Sequence, residues 1–179
     1  MTKTFEVTGL GNAIVDVIAR GDDAFLEKHG IIKGAMNLIE TDRAKLLYDA
    51  IGPATEVSGG SAANTMAGFA SFGGRGAYLG KVAKDQLGDI FEHDMRAVGI
   101  HFDVPRLIGG AETARSMIIV TPDAQRSMNT YLGASVEFSE ADVDEETVKN
   151  SGMLYLEGYL FDKPEAKKAY HKATSIAHA

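Results

Sequence analysis

The sequence has no cysteine and no tryptophan, only 4 prolines among 179 residues, and no excess of basic charge. Each shortage removes a class of protein. Without cysteine there is no disulfide, no thiolate nucleophile and no thiolate-held metal, which fits a cytoplasmic protein. The five histidines (29, 93, 101, 171, 178) are not at metal-ligand spacing, so no metal site is expected from them. A net charge of −7 with no basic block argues against nucleic acid or an anionic membrane as the main partner. No apolar run approaches the ~20 residues needed to span a bilayer. The first residues, MTKTFEVTGL, run straight into a strand pattern with no signal-peptide pattern. What is left, 45% hydrophobic and 24% charged, is the composition of a globular domain long enough for a real core.

Glycine is what the chain has in quantity, 20 residues, and it gathers in one stretch, 57–74, VSGGSAANTMAGFASFGG. No long side chain occurs between Gly59 and Met66, so something approaches the backbone there. Gly59 and Gly60 reach backbone angles closed to other residues. Ser61 is then expected to cap a helix that stops at Gly73-Gly74. Its first turn offers unpaired N–H groups to a polar ligand, and Asn64 adds a donor and an acceptor. For Ala62, Ala67 and Ala70 close helix packing is explanation enough. A polar amide at Asn64 is not something that packing requires.

The remaining pattern alternates strands and helices. Strands are expected at 4–10, 76–82 and 153–159, and helices at 22–29, 41–51, 85–99 and 162–177, the last capped by Asp162 with Pro164 in its first turn. Ser139 and Asp142 form a capping pair for a helical stretch toward Asn150. Strands alternating with helices imply a parallel sheet covered on both faces. Short strands at 13–19, 35–40, 100–107, 113–121 and 126–132 do not fit that sheet. Their alternation of apolar and polar residues predicts a second, half-exposed antiparallel layer. The division expected is an α/β core from 1–12, 41–99 and 133–179, and a β layer from 13–40 and 100–132. The last helix has no following strand, so the chain reads as the first half of a doubly wound sheet.

Several of these segments, in this order, resemble one family. GGSAANTMAGFASFGG followed by AYLGKVAKDQLGD is similar to the amino-terminal signature of the ribokinase (PfkB-type carbohydrate kinase) family. GLGNAIVD resembles its first substrate-binding loop. FLEKHGIIKGAMNLIE, TARSMIIVTPDAQRSMNTYLGAS and MLYLEGYLF extend the likeness, with wording closest to the adenosine-kinase branch. Ala83 stands where the family usually has glycine.

The resemblance implies a ribokinase-like doubly wound, mostly parallel sheet flanked by helices, with a small β-sheet lid. It implies an ATP-dependent kinase, with Mg2+, that phosphorylates a primary hydroxyl of an adenosine-like nucleoside or a sugar. Carried over, Asn12 and Asp16 bind substrate hydroxyls, and Gly60 and Asn64 hold the sugar from the other side, with Ser61 as a minor contact. Gly59-Gly60 is the hinge of the lid. Arg126 faces the transferring phosphate, and Glu157 stands behind the substrate or magnesium site. The family's catalytic aspartate and its glycine-rich anion hole would lie beyond Ala179, and no GAGD-like segment occurs here. This chain is therefore expected to be inactive alone. The same lid sheets allow a homodimer by edge pairing.

Two other readings compete. A non-catalytic substrate-binding or dimerising module would use the same residues. A dinucleotide-binding Rossmann domain would exploit Gly9-Leu10-Gly11, but the third glycine of that motif falls on Ile14.

Overall fold

The computed structural model describes residues 3–179, so the first two residues of the expected core segment 1–12 lie outside it. In chain order the strands are β1 (Phe5–Leu10), β2 (Ile14–Arg20), β3 (Met36–Leu38), β4 (Ala54–Gly59), β5 (Gly76–Leu79), β6 (Ala114–Val120), β7 (Arg126–Tyr131) and β8 (Ser151–Leu156). The α-helices are α1 (Asp23–Lys28), α2 (Thr41–Ala50), α3 (Ser61–Ser71), α4 (Gln86–Ala97), α5 (Glu145–Lys149) and α6 (Pro164–His178).

Two sheets result. The first is fully parallel, in the order β5-β1-β8. Helix α3 packs on β1 and β5, and α5 and α6 pack on β8. Leu10, Met66, Tyr78, Phe91, Met95, Phe102, Phe138 and Tyr170 are buried in the core between them. The second sheet has five strands in the order β3-β7-β6-β2-β4. It is mixed rather than antiparallel: β2 runs parallel to β6 and β3 to β7, while β2–β4 and β6–β7 are antiparallel. The expected hairpin 113–132 supplies the antiparallel pair. The β2–β6 pair is parallel because the two strands follow segments that run parallel in the first layer, β1 and 100–107, both of which lie along β5.

One face of the second sheet is packed. Ala19, Met117, Ile119 and Tyr131 meet Leu26, Ala44 and Leu47 of α1 and α2 in a second core cluster. The other face is open and carries Ile18, Met36, Leu38 and Val57 exposed. That split is the period of two along a strand with one covered side.

Several local expectations change. The segment 54–59 is a strand of the second sheet, paired along its whole length with β2, so the block 41–99 is not all core. The segment 100–107 is no strand of that sheet. It lies along β5 and the residues after it, through single bridges at Ala77–His101 and Ala83–Leu107, and Phe102 and Val104 enter the first core. Ser139 and Asp142 do form a reciprocal cap, but on a short 3-10 turn, and Asp144 caps α5 separately. Lys163, not Asp162, precedes the first turn of α6. Ala83 has no positive φ, so glycine is not needed there, and its N–H goes to the Thr113 hydroxyl.

The tip of the β6–β7 hairpin is strained at one residue. Ala124 sits at φ 64°, the one non-glycine residue with positive φ among those described. An alanine there costs about 1 kcal/mol or more relative to glycine. Ala124→Gly is expected to stabilise the chain by about 0.5–1 kcal/mol, read as a rise in thermal midpoint. A fall would show that the turn needs the methyl group.

Candidate functional site

The crossing from the first sheet to the second is made of Gly11, Asn12 and Ala13, and the crossing back is Gly59-Gly60. Gly60 is at φ 98°, and a Cβ there would lie 2.5 Å from the backbone oxygen of Asn12. The bare backbone of Gly60 therefore lies against the backbone of Asn12. Gly59 pairs with Ile14, and any Cβ on it would run into the Asp16 carboxyl group. Two glycines in a row thus clear the space in which Asn12 and Asp16 stand.

Asn12 is buried, and its side-chain oxygen has no partner among the described residues. Its backbone is fixed on both sides. The Asn12 N–H donates to Glu157 Oε2 at 2.6 Å, and the Tyr78 hydroxyl donates to the Asn12 carbonyl at 2.9 Å. An orphaned acceptor on a braced backbone is an arrangement that suits a ligand donor.

Asp16 lies half-buried on the open face of the second sheet. In register it stands in one row with Val57, Ser116, Thr130 and Leu38. The Ser116 and Thr130 hydroxyls bond to each other at 2.8 Å, and the Asp16 carboxylate has no hydrogen bond or ion pair among the described residues. Burial pushes the Asp16 carboxyl above its ordinary value of 3.8, and the positive charge of Arg126 opposes this.

Glu157 is the structural centre of the site. It lies just past β8, almost fully buried, with its carboxylate at the start of α3. It accepts from the Asn12 N–H and, at 3.3 Å, from the Ala62 N–H in the first turn of α3. The expected Ser61 cap is corrected here: Gly60, which has no side chain to offer, takes the cap position, and Ser61 is the first residue of the helix. A carboxylate 95 positions away takes the free N–H instead. Negative charge suits that end of a helix. Burial pushes the Glu157 carboxyl up, while hydrogen bonds from Asn12, Ala62 and the Ser61 side chain pull it down. Gly11 has no Cβ because Glu157 and Ala62 occupy that space. Tyr170 of α6 donates to the carbonyls of Glu157 and Leu10, fixing the strand ends from below.

The structure thus brings Asn12, Asp16, Gly59, Gly60 and Glu157 together, with Ser61 and Asn64 exposed on the first turn of α3. Arg126 is not in contact with Asp16. It lies on the same face, at the hairpin tip, exposed. In the sequence Tyr78 and Tyr170 fall inside an expected strand and an expected helix, with nothing to mark them as site residues. Their hydroxyls brace the site because a buried tyrosine needs a partner for its polar end.

Glu157→Gln keeps one acceptor oxygen and turns an N–H donor toward the second N–H. One buried N–H then goes unpaired, and the chain is expected to lose about 1–2 kcal/mol. Chemical denaturation at neutral pH measures it. An unchanged midpoint would mean that the α3 terminus does not depend on this carboxylate.

This geometry can be compared with known proteins. The model of the pfkB family carbohydrate kinase matches residues 35–179. The chain belongs to the pfkB carbohydrate kinase family. Adenosine kinase from Sinorhizobium meliloti is 62% identical, with a TM-score of 0.89 over 98% of this chain and 54% of its own. A probable sugar kinase from Rhizobium etli CFN 42 is 54% identical, with a TM-score of 0.90 over 99% of this chain and 54% of its own. Adenosine kinase of Schizophyllum commune is 26% identical over 167 residues, covering 88% of this chain and 48% of that protein. The chain therefore spans about half the length of these pfkB relatives. Its two sheets and flanking helices are the ribokinase-like α/β fold of adenosine kinases.

Magnesium is implied by the resemblance. Among the described residues no three His, Asp or Glu side chains gather to hold a metal ion, so no step through magnesium is assigned to them.

Proposed function

We propose that this chain is the substrate-binding and lid half of an ATP-dependent kinase that phosphorylates a primary hydroxyl of an adenosine-like nucleoside or a sugar. One observation carries the reading: a half-buried carboxylate, Asp16, without a protein donor, faces a bare diglycine beside the unpartnered oxygen of Asn12. A carboxylate takes two hydroxyl hydrogens as charge-assisted bonds. Gly60 and Asn64 would hold the sugar from the α3 side, with Ser61 adding a minor contact. Glu157 would hold the Asn12 loop and the α3 terminus in register with each other.

Gly59-Gly60 would serve as the hinge. They are where one strand leaves the second sheet for a helix on the first, so a change in their angles swings one sheet over the other. Such closure excludes water from a phosphoryl acceptor. Arg126 would then place a guanidinium near the transferring phosphoryl group, where it stabilises developing charge. The chain has no GAGD-like segment, so we assign it no catalytic base or anion hole of its own. We place it in the cytoplasm, with a small-molecule substrate rather than nucleic acid or a membrane.

Calorimetric titration of this chain with adenosine, ribose and fructose tests the reading. Saturable binding of at least one is expected, with no ATP consumption. Failure of all three to bind overturns the substrate assignment, and rapid ATP turnover overturns the assignment of inactivity. A homodimer through the lid is a second reading, favoured by the exposed Met36 and Leu38 on an edge strand. It predicts a dimer by sedimentation at tens of micromolar, and a monomer there would remove it.

A further inference from the structure

The sequence has seven arginines, at 20, 43, 75, 96, 106, 115 and 126. Five are tied down. Arg43 donates to the His29 carbonyl, and Arg75 meets Glu6 and the Thr4 carbonyl. Arg96 and Arg106 share Glu92, and Arg115 pairs with Glu112 between two tyrosine rings. Arg20 and Arg126 have no ion pair and no side-chain hydrogen bond among the described residues, and both are exposed.

These two are not scattered. Arg20 pairs with Val120 in the β2–β6 ladder, and Val120 pairs with Arg126 in the β6–β7 ladder. Residues in direct register share a face. Two strand spacings put their backbones roughly 10 Å apart, close enough for both long side chains to converge on one group. The face is the open one, and Asp16 lies on it too, four residues before Arg20 in β2, or roughly 13 Å along the strand. An open groove of about 980 Å³ runs along the Arg20 side of this tip, lined in part by Ile18, Arg20, Thr55, Val120 and Ala124, with Arg126 outside its lining.

Apart from Asp16, the acids near the tip are engaged elsewhere. Asp22 caps α1 through the Phe25 N–H. Asp23 and Asp123 both pair with Lys33, at 2.7 and 2.9 Å. The chain is acidic overall, yet here two arginines share a row across β6 with no ion pair, and the acid that feels Arg126 is the Asp16 carboxylate on the same face. Like charges held together repel unless an anion joins them, and the planar guanidinium fork matches a phosphoryl group.

We propose that Arg20 and Arg126 form a two-arginine clamp for a phosphoryl group at the tip of the second sheet. This rests on the kinase reading above and extends it: Arg20 becomes a second binding residue. Hydroxyls of the acceptor would meet Asp16 while the phosphoryl group meets the clamp. The group could come from a donor nucleotide or from an acceptor that is already phosphorylated.

The test uses this chain, with pyrophosphate, ATP and ribose 5-phosphate as probes in calorimetric titrations. Wild type should bind pyrophosphate, and Arg20→Gln and Arg126→Gln should each weaken it by at least about fivefold. The double variant should show no saturable binding. Both side chains are exposed, so the thermal midpoints should not move. ATP bound with ribose 5-phosphate rejected supports the clamp with the donor as source, and the reverse supports it with a phosphorylated acceptor. Absence of binding for all three probes, or an Arg20→Gln affinity within twofold of wild type, overturns the clamp. Arg20→Gln leaves the Asp16 site untouched, whereas Arg126→Gln removes a charge that acts on Asp16. Retained adenosine or ribose binding alongside an unchanged Arg20→Gln affinity would sink the clamp and leave the kinase reading standing.

Discussion

Gly60→Ala is expected to destabilise the chain by about 3 kcal/mol or more. Two costs add. At φ 98° and ψ 147° the backbone is in a region essentially open only to glycine. The new methyl would also lie 2.5 Å from the Asn12 carbonyl oxygen, which is backbone and cannot step aside. For a chain of this size the loss corresponds to a fall in thermal midpoint of roughly 6–12 °C. Gly30→Ala is the control. Its φ is also positive, at 58°, but nothing lies within 4 Å of its Cβ direction, so only the backbone cost of about 1–2 kcal/mol applies. Equal losses in the two variants would refute the close approach of Gly60 to Asn12. Gly59→Ala probes a different thing. Its methyl would meet the Asp16 carboxyl group, a side chain that can swing away. It should leave the fold nearly as stable while moving the carboxylate off its position.

Asp16→Ala is expected to weaken binding of the hydroxyl ligand by about 10- to 150-fold, the loss of charge-assisted hydrogen bonds of ~1.5–3 kcal/mol. Unchanged affinity would remove Asp16 from the site. Asp16→Asn separates function from stability. The folded carboxyl titrates above its ordinary 3.8 because burial disfavours its charge. A raised acid binds its proton more tightly in the folded state, so its contribution is present below pH 3.8 and is lost as pH rises through the raised value. The amide carries no charge at any of these pH values. Asp16→Asn should therefore be the more stable protein at pH 7 and lose that advantage near pH 3, while binding the ligand less well. Stability curves for both proteins that run parallel from pH 3 to 7 would contradict the burial of that charge. A functional carboxylate held in a partly desolvated place is a common origin of such a trade-off.

The glycine stretch, the helix after it and the likeness to a kinase family could be read from residue order. These are local matters. Gly59-Gly60 announces an unusual backbone, the apolar spacing of 62–70 announces a helix, and GLGNAIVD places Asn12 and Asp16 on a loop and the strand that follows. Which strands pair, and in which direction, is not local. A strand such as 54–59, half polar and followed by glycines, looks like a loop until β2 offers it an antiparallel partner. The terminus of α3 shows the same limit. Ser61 is the right residue in the right place for a cap, yet Gly60 takes that position and Glu157, just past β8, supplies the acceptor. No spacing rule reaches across 95 residues.

By itself, then, the sequence determined the family, the order of elements and the small-residue wall of the site, because each depends on side chains within a few turns of one another. Tertiary structure decided the rest: that Asn12 is braced by Glu157 and Tyr78, that Asp16 shares a row with Ser116 and Thr130, and that Arg20 and Arg126 share a row across β6. Register sets those neighbours, and register is fixed only when one face of each sheet is buried against its helices. The diglycine carries both kinds of information. Its residue type could be seen in the sequence, but its purpose, to clear space for a carboxylate on one side and a carbonyl on the other, appears only when β2 and β4 are paired.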